Sequence, residues 1–241
     1  MHFTLKSLIR KSAVGILLAG ALAVTSTAYA DDYELNVKQF SELQVVNDLN
    51  VIYRCDNDSA GYVHFSCDPE VSSLVLFSNN KNKLKIETVD NISDEQKRRL
   101  PTIVVYSSFL SKVENSGDST VIVDSIAPTS TFKARIVGNG TLIARRLRAT
   151  TVEGKISTGH GHLVLAGEAQ TVKLNNTGTG TIEAGTIKAV TGRCSIYGTG
   201  SVDCWVTNEL TIMGLGPGTV YLKGKPTTKN RTLGIKTVPV E

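Results

Sequence analysis

The sequence predicts an all-β chain whose larger part is a parallel β-solenoid, and three observations carry that prediction. A glycine-marked turn recurs at a near-constant interval. Apolar residues stand at fixed offsets after every turn. No part of residues 107–224 shows the periodicity of an amphipathic helix.

The turns are Ser116-Gly117-Asp118-Ser119-Thr120, Gly138-Asn139-Gly140-Thr141, Gly159-His160-Gly161-His162, Gly178-Thr179-Gly180-Thr181, Gly198-Thr199-Gly200-Ser201 and Gly216-Pro217-Gly218-Thr219. A period near 20 residues is that of a solenoid in which each repeat is one coil. Four residues past the first glycine stand Val121, Leu142, Leu163, Ile182, Val202 and Val220. Two further on stand Val123, Ala144, Leu165, Ala184, Cys204 and Leu222, while the position between is mixed. That alternation marks a strand with one buried face, repeated in register from coil to coil. A second strand precedes each turn, with Val113, Ala134, Leu174, Cys194 and Ile212 expected to point inward and Ile156 joining them through a one-residue shift. About six coils are expected over 107–224.

Ahead of the repeat, residues 1–30 read as a cleavable export signal. Lys6, Arg10 and Lys11 precede an apolar run, Ala13 to Val24, and Ala28-Tyr29-Ala30 forms the A-x-A cleavage signature. Twelve apolar residues are too few to cross a bilayer, which takes about 20. Residues 31–106 form a β-rich part that continues or caps the solenoid, and 107–241 the repetitive part of the same domain. Strands are expected within Leu43–Arg54, Tyr62–Cys67, Leu74–Phe77, Leu84–Val89 and Thr102–Tyr106, a hairpin turn over 78–82, and a helical turn opening at Asp68-Pro69-Glu70. Asn91–Arg99 reads as a charged loop.

Charge excludes one class of partner. Of 26 Lys+Arg and 22 Asp+Glu, three positive residues lie in the signal, leaving 23 against 22 in the mature chain. Nucleic acid is therefore not an expected partner. Export places the four cysteines where disulfides form. Their spacing suggests two local pairs, Cys55 with Cys67 and Cys194 with Cys204, among three possible connectivities.

Few residues suggest chemistry. His160 and His162 lie two apart on an extended segment and face the same way, making them candidate ligands for a borderline metal. No third ligand stands nearby, and two polar residues at a solvent-facing corner is the plainer reading. Glu183 and Asp203 occupy equivalent positions on successive coils, about 5 Å apart, as carboxylates do in β-helix enzymes acting on acidic polysaccharides. A third charged member is missing there, so a solvated face is preferred. The hydroxyl row Thr120, Thr141, Thr181, Ser201 and Thr219 could present hydroxyls to a sugar or an ordered water layer, but β-branched threonines suit strand ends, which is the preferred reading. Trp205 and Tyr221 could each stack on a sugar ring, but one of each is not a binding site. No catalytic residue and no cofactor is expected.

One resemblance follows from these residues. The segment Asp48 to Ile52, Leu84-Lys85-Ile86, Pro101 to Tyr106, the serial Gly-x-Gly turns and the ending Tyr221-Leu222-Lys223-Gly224-Lys225-Pro226 are together similar to the head GIN domain family of putative auto-transporter adhesins, over roughly residues 38–241. Its usual Ser-Gly-Ser-Gly is mostly Thr-Gly-Thr-Gly here. The resemblance implies a β-solenoid, an adhesin label and no catalytic residues to carry over. With the export signal, the expected location is periplasmic, or extracellular or at the cell surface, of a Gram-negative bacterium. The expected function is non-enzymatic, adhesin-like binding of a surface or polysaccharide, with carbohydrate or envelope components as partners and self-association through exposed solenoid ends. The alternatives are a polysaccharide-active β-helix enzyme or a periplasmic structural factor.

Overall fold

The computed structural model describes residues 30–241. The export signal, Ala28 included, lies outside the described residues, and Ala30 opens them as an exposed residue. The N-terminal part runs β1 (Asp31–Asn36), β2 (Glu42–Val46), β3 (Val51–Cys55), β4 (Tyr62–Cys67), α1 (Pro69–Ser72), β5 (Val75–Asn80), β6 (Lys83–Thr88), α2 (Asp94–Arg98) and β7 (Ile103–Ser107). The repetitive part continues with β8 (Lys112–Ser116), β9 (Thr120–Val123), β10 (Thr129–Ile136), β11 (Thr141–Ile156), β12 (His162–Gly178), β13 (Thr181–Gly198), β14 (Ser201–Leu215), β15 (Thr219–Lys223), β16 (Thr227–Leu233) and β17 (Lys236–Val240).

These strands stack into two parallel ladders that enclose the core. The first ladder runs β6, β2, β8, β10, then the C-terminal halves of β11, β12, β13 and β14, and ends at β16. The second runs β7, β3, β9, then the N-terminal halves of β11 to β14, and ends at β15 and β17. From β8 onward each rung crosses from the first ladder to the second at a glycine corner, whereas β2 crosses to β3 at Asn47 and β6 to β7 through the segment that holds α2. The chain returns to the next rung through a bend, where the register shifts, as between Ala144 and Leu147.

The repeat read from the sequence is the repeat in space. Val121, Leu142, Leu163, Ile182, Val202 and Val220 pair in unbroken register, and every one is fully buried. Burying one such side chain contributes roughly 1.5–3 kcal/mol, so a continuous inward column is a large share of the driving force. The solenoid reaches beyond 107–224 in both directions, because β2 and β3 stack on β8 and β9 while β16 and β17 continue the C-terminal end.

The third coil departs from expectation. Gly154, not Ile156, stands in the inward row with Ala134 and Leu174. Its missing side chain is a packing requirement: a Cβ there would come within 2.8 Å of Leu165 and 3.1 Å of Leu163. Ile156 takes the next inward row, between Ile136 and Asn176.

The N-terminal part both continues and caps the stack. Strand β4 runs antiparallel on β7, β1 antiparallel on β4, and β5 antiparallel on β6, which closes that end against strand addition. Tyr33, Phe65 and Phe77 stack under the cap, with centroids 5.1 and 5.9 Å apart. The helical turn forms as α1, capped by Asp68. The β5–β6 turn is made at Lys81 and Asn82, both at positive φ. Asn91–Arg99 is not simply a loop: Ser93 and Gln96 close a reciprocal capping box that starts α2.

The expected Cys55–Cys67 pair is excluded by register. Cys55 stands opposite Ser107 at one end of β7. Strand β4 pairs the other way, Val63 with Val105 and His64 with Val104, so Cys67 lies past the opposite end. At ~3.3 Å per residue that separates the two by roughly 20 Å, and a disulfide needs Cα atoms within about 7 Å. Burial and the carboxylates of Asp68 and Asp31 push the Cys67 thiol up to about 11.

Candidate functional site

Two outward surfaces follow from the ladders. On the second ladder, residues alternating with the core form a row running Val104, Ile52, Ile122, Ile143 and Val164, then Glu183, Asp203, Tyr221 and Val238. The five aliphatic members are half-buried by their neighbours yet face outward, which makes a continuous apolar stripe five strands wide. Beside it runs the hydroxyl row Thr120, Thr141, Thr181, Ser201 and Thr219, interrupted by His162 between Thr141 and Thr181. Ser201 Oγ donates to Thr181 Oγ1 at 3.2 Å, so part of the row is knitted along the stack. Rungs repeat at ~4.8 Å, and the two rows present a flat, periodic surface in place of a cleft.

Half of that stripe was hidden in the sequence. Ile122, Ile143 and Val164 occupy the position that reads as mixed after each glycine. Ile52 and Val104 join them only because the chain inserts β2–β3 between β6–β7 and β8–β9. Alternation within Ile52–Tyr53 and Val104–Val105 was the available signal, but nothing in it gives the stacking order.

The candidate carboxylates do meet. Glu183 and Asp203 are register neighbours on β13 and β14. Glu183 Oε1 lies 2.8 Å from His162 Nε2, an exposed pair. Asp203 accepts the Gly185 amide, in a space open only because Gly185 lacks a Cβ. Burial holds the Asp203 carboxyl above the usual carboxylate range, against the pull of that amide and of Lys223, with the charge of Glu183 adding to the rise. His160 contributes its backbone amide to Asn139 Oδ1 at 3.1 Å, whereas His162 turns to Glu183. Among the described residues no group of three His, Cys, Asp or Glu is placed to hold a metal ion.

Trp205 is not an open stacking platform. Lys188 and Lys223 Nζ sit 5.5 and 4.9 Å from its ring centroid, and both cations already use the π-face. Tyr221 is exposed in the outward row beyond Asp203. An open depression beside the Asn47 corner is lined by Thr88, Asp90 and Asp118, with Lys97 bound to Asp48 at 3.1 Å.

Cys194 and Cys204 face each other across the core of one rung. One comes from each ladder, both are fully buried, and their Sγ atoms are 3.7 Å apart as free thiols. The neighbouring thiol and burial together push the Cys194 thiol well up.

With this geometry in place, the signature of the family described as "Putative auto-transporter adhesin, head GIN domain" matches residues 39–226. The chain belongs to the head GIN domain family. The solved structure of a putative adhesin from Bacteroides fragilis has the same fold, with TM-score 0.78 and 21% identity over 87% of this chain and 96% of that one. A putative lipid binding protein from Parabacteroides distasonis follows at TM-score 0.71 and 17% identity, covering 89% and 98%. A putative adhesin from Parabacteroides merdae matches at 0.65 and 15%, with the same coverage. No curated protein matches the chain in sequence. At these identities the structures establish a shared fold, and this head GIN domain shares its family's adhesin naming without a defined target.

Proposed function

We propose that this head GIN domain is an exported, non-enzymatic attachment module that binds a surface or polysaccharide through the outer face of its second ladder. The observation that carries the reading is the stripe Val104, Ile52, Ile122, Ile143 and Val164 alongside the hydroxyl row. Apolar side chains on a flat sheet cover the nonpolar faces of sugar rings, and hydroxyls at the same repeat exchange hydrogen bonds with ring hydroxyls. The adhesin naming of the family supports it. The test is retention of the purified protein on immobilised polysaccharides and matrix proteins, compared with Ile143→Glu. Covering the part of the isoleucine still exposed contributes roughly 1 kcal/mol and desolvating a glutamate in its place costs more, so the variant is expected to bind about tenfold more weakly.

Export also bears on the cysteines. We propose that Cys194 and Cys204 are joined in the mature protein. Attack on an incoming disulfide takes two protons and two electrons from the thiols and releases the carrier as two thiols. Closing this ten-residue separation stabilises by roughly 3 kcal/mol in the chain-entropy model. In protein recovered from its exporting host and denatured without reductant, Cys55 and Cys67 are expected to alkylate while Cys194 and Cys204 resist until reduced. Alkylation of all four without reductant is the contrary result.

A further inference from the structure

We propose that the C-terminal end of the first ladder is a docking surface for an anionic lipid bilayer. It lies on a different face from the attachment stripe and stands independently of it.

Tyr197, Leu215 and Leu233 stack in register on β13, β14 and β16 and point outward, 48%, 57% and 72% exposed. They form one apolar column across three adjacent rungs. The two neighbouring outward rows are Ser195, Met213 and Arg231, then Arg193, Thr211 and Lys229. Lys229 is paired with Glu209 at 2.8 Å. Arg193 rests on Met213 Sδ at 3.0 Å, and neither it nor Arg231 makes an ion pair among the described residues.

Charge and polarity select the occupant. A second copy brought edge to edge would set these cations against themselves. The last rung also points Thr228, Asn230, Thr232, Thr237 and Pro239 along the inward rows, which blunts strand addition. A soluble polyanion satisfies Arg193 and Arg231 but leaves the Tyr197–Leu215–Leu233 column in water. A bilayer interface satisfies both, taking the apolar column and the tyrosine ring at headgroup depth and pairing arginines with lipid phosphates.

The experiment is sedimentation of the purified protein with vesicles of phosphatidylcholine alone or mixed with phosphatidylglycerol. Binding is expected only to the anionic vesicles, and to fall as salt rises. Arg193→Gln with Arg231→Gln is expected to weaken it about tenfold or more, and Tyr197→Ser with Leu233→Ser comparably, each checked by an unchanged melting temperature. Ile143→Glu, which tests the attachment stripe, is expected to leave vesicle binding intact, so the two readings fail separately. Equal binding to both vesicles, binding to neither, indifference to both double variants, or capture by a soluble acidic polysaccharide but not by vesicles overturns the proposal.

Discussion

Gly198→Val is expected to lower the melting temperature by roughly 10 °C. The corner residue sits at φ +133°, and a Cβ there would lie 2.5 Å from the carbonyl oxygen of Gly178 on the rung beneath. That oxygen accepts the Gly200 amide at 3.1 Å, one of the bonds that stacks successive corners. A forced left-handed residue costs about 1–3 kcal/mol and overpacking a further 1–3 kcal/mol. In a chain of this size each kcal/mol moves the midpoint by about 2–4 °C. Gly138→Ala is the internal control. It shares the positive φ, at +122°, but its nearest neighbour would be 3.6 Å away. Only the strain remains, so a loss of about 3 °C is expected. Thermal unfolding followed by circular dichroism checks both, and equal losses would contradict close corner stacking.

Asn176→Ala is expected to cost about 3–4 kcal/mol, and Asn176→Ile about half as much. Asn176 is fully buried, and its Nδ2 donates to Gly180 O at 2.7 Å and to Ser201 O at 3.1 Å. Asn115 makes the same pair of bonds three corners earlier in the inward row, to Ser119 O at 2.8 Å and Thr141 O at 3.0 Å. In each case one donor group ties its own corner to the next rung. Alanine removes two buried hydrogen bonds, about 1 kcal/mol each net, and leaves a cavity. Isoleucine loses the bonds but fills the space, as Ile156 and Ile196 do on either side. Chemical denaturation of the three proteins reads the order wild type, Ile, Ala. A variant with isoleucine at 176 matching wild type would mean the corner bonds contribute nothing.

The repetitive half was legible because its physics is local. A corner needing positive φ takes glycine, a buried column needs apolar residues, and both recur at one coil length, so the offsets from Gly117 to Gly216 gave the inward rows at Val121 and Val123 directly. Rungs without glycine were not legible. The Asn47 corner uses a left-handed asparagine at φ 67°, the cheapest alternative among side-chain-bearing residues, and it carries no repeat signal. The insertion of β2–β3 between later strands is a long-range choice that local spacing does not encode. The same insertion assembled the aliphatic stripe, which is why the surface was only partly visible. It also defeated the cysteine arithmetic for Cys55 and Cys67: proximity in sequence across a turn implies proximity in space only when the two strands pair directly, and here β7 lies between them. Cys194 and Cys204 belong to one rung, so short spacing translated into a facing pair.

Binding through the outer face of the second ladder is tested most directly by immobilising a panel of polysaccharides and matrix proteins and measuring retention of the wild-type protein beside Ile143→Glu and Ile122→Glu, with unfolding curves confirming intact folds. The expected result is retention of the wild type on at least one surface polymer and a drop of about tenfold for both variants. Retention equal in all three proteins would place attachment elsewhere on the solenoid, and loss of the polymer itself over time through cleavage would contradict a non-enzymatic role.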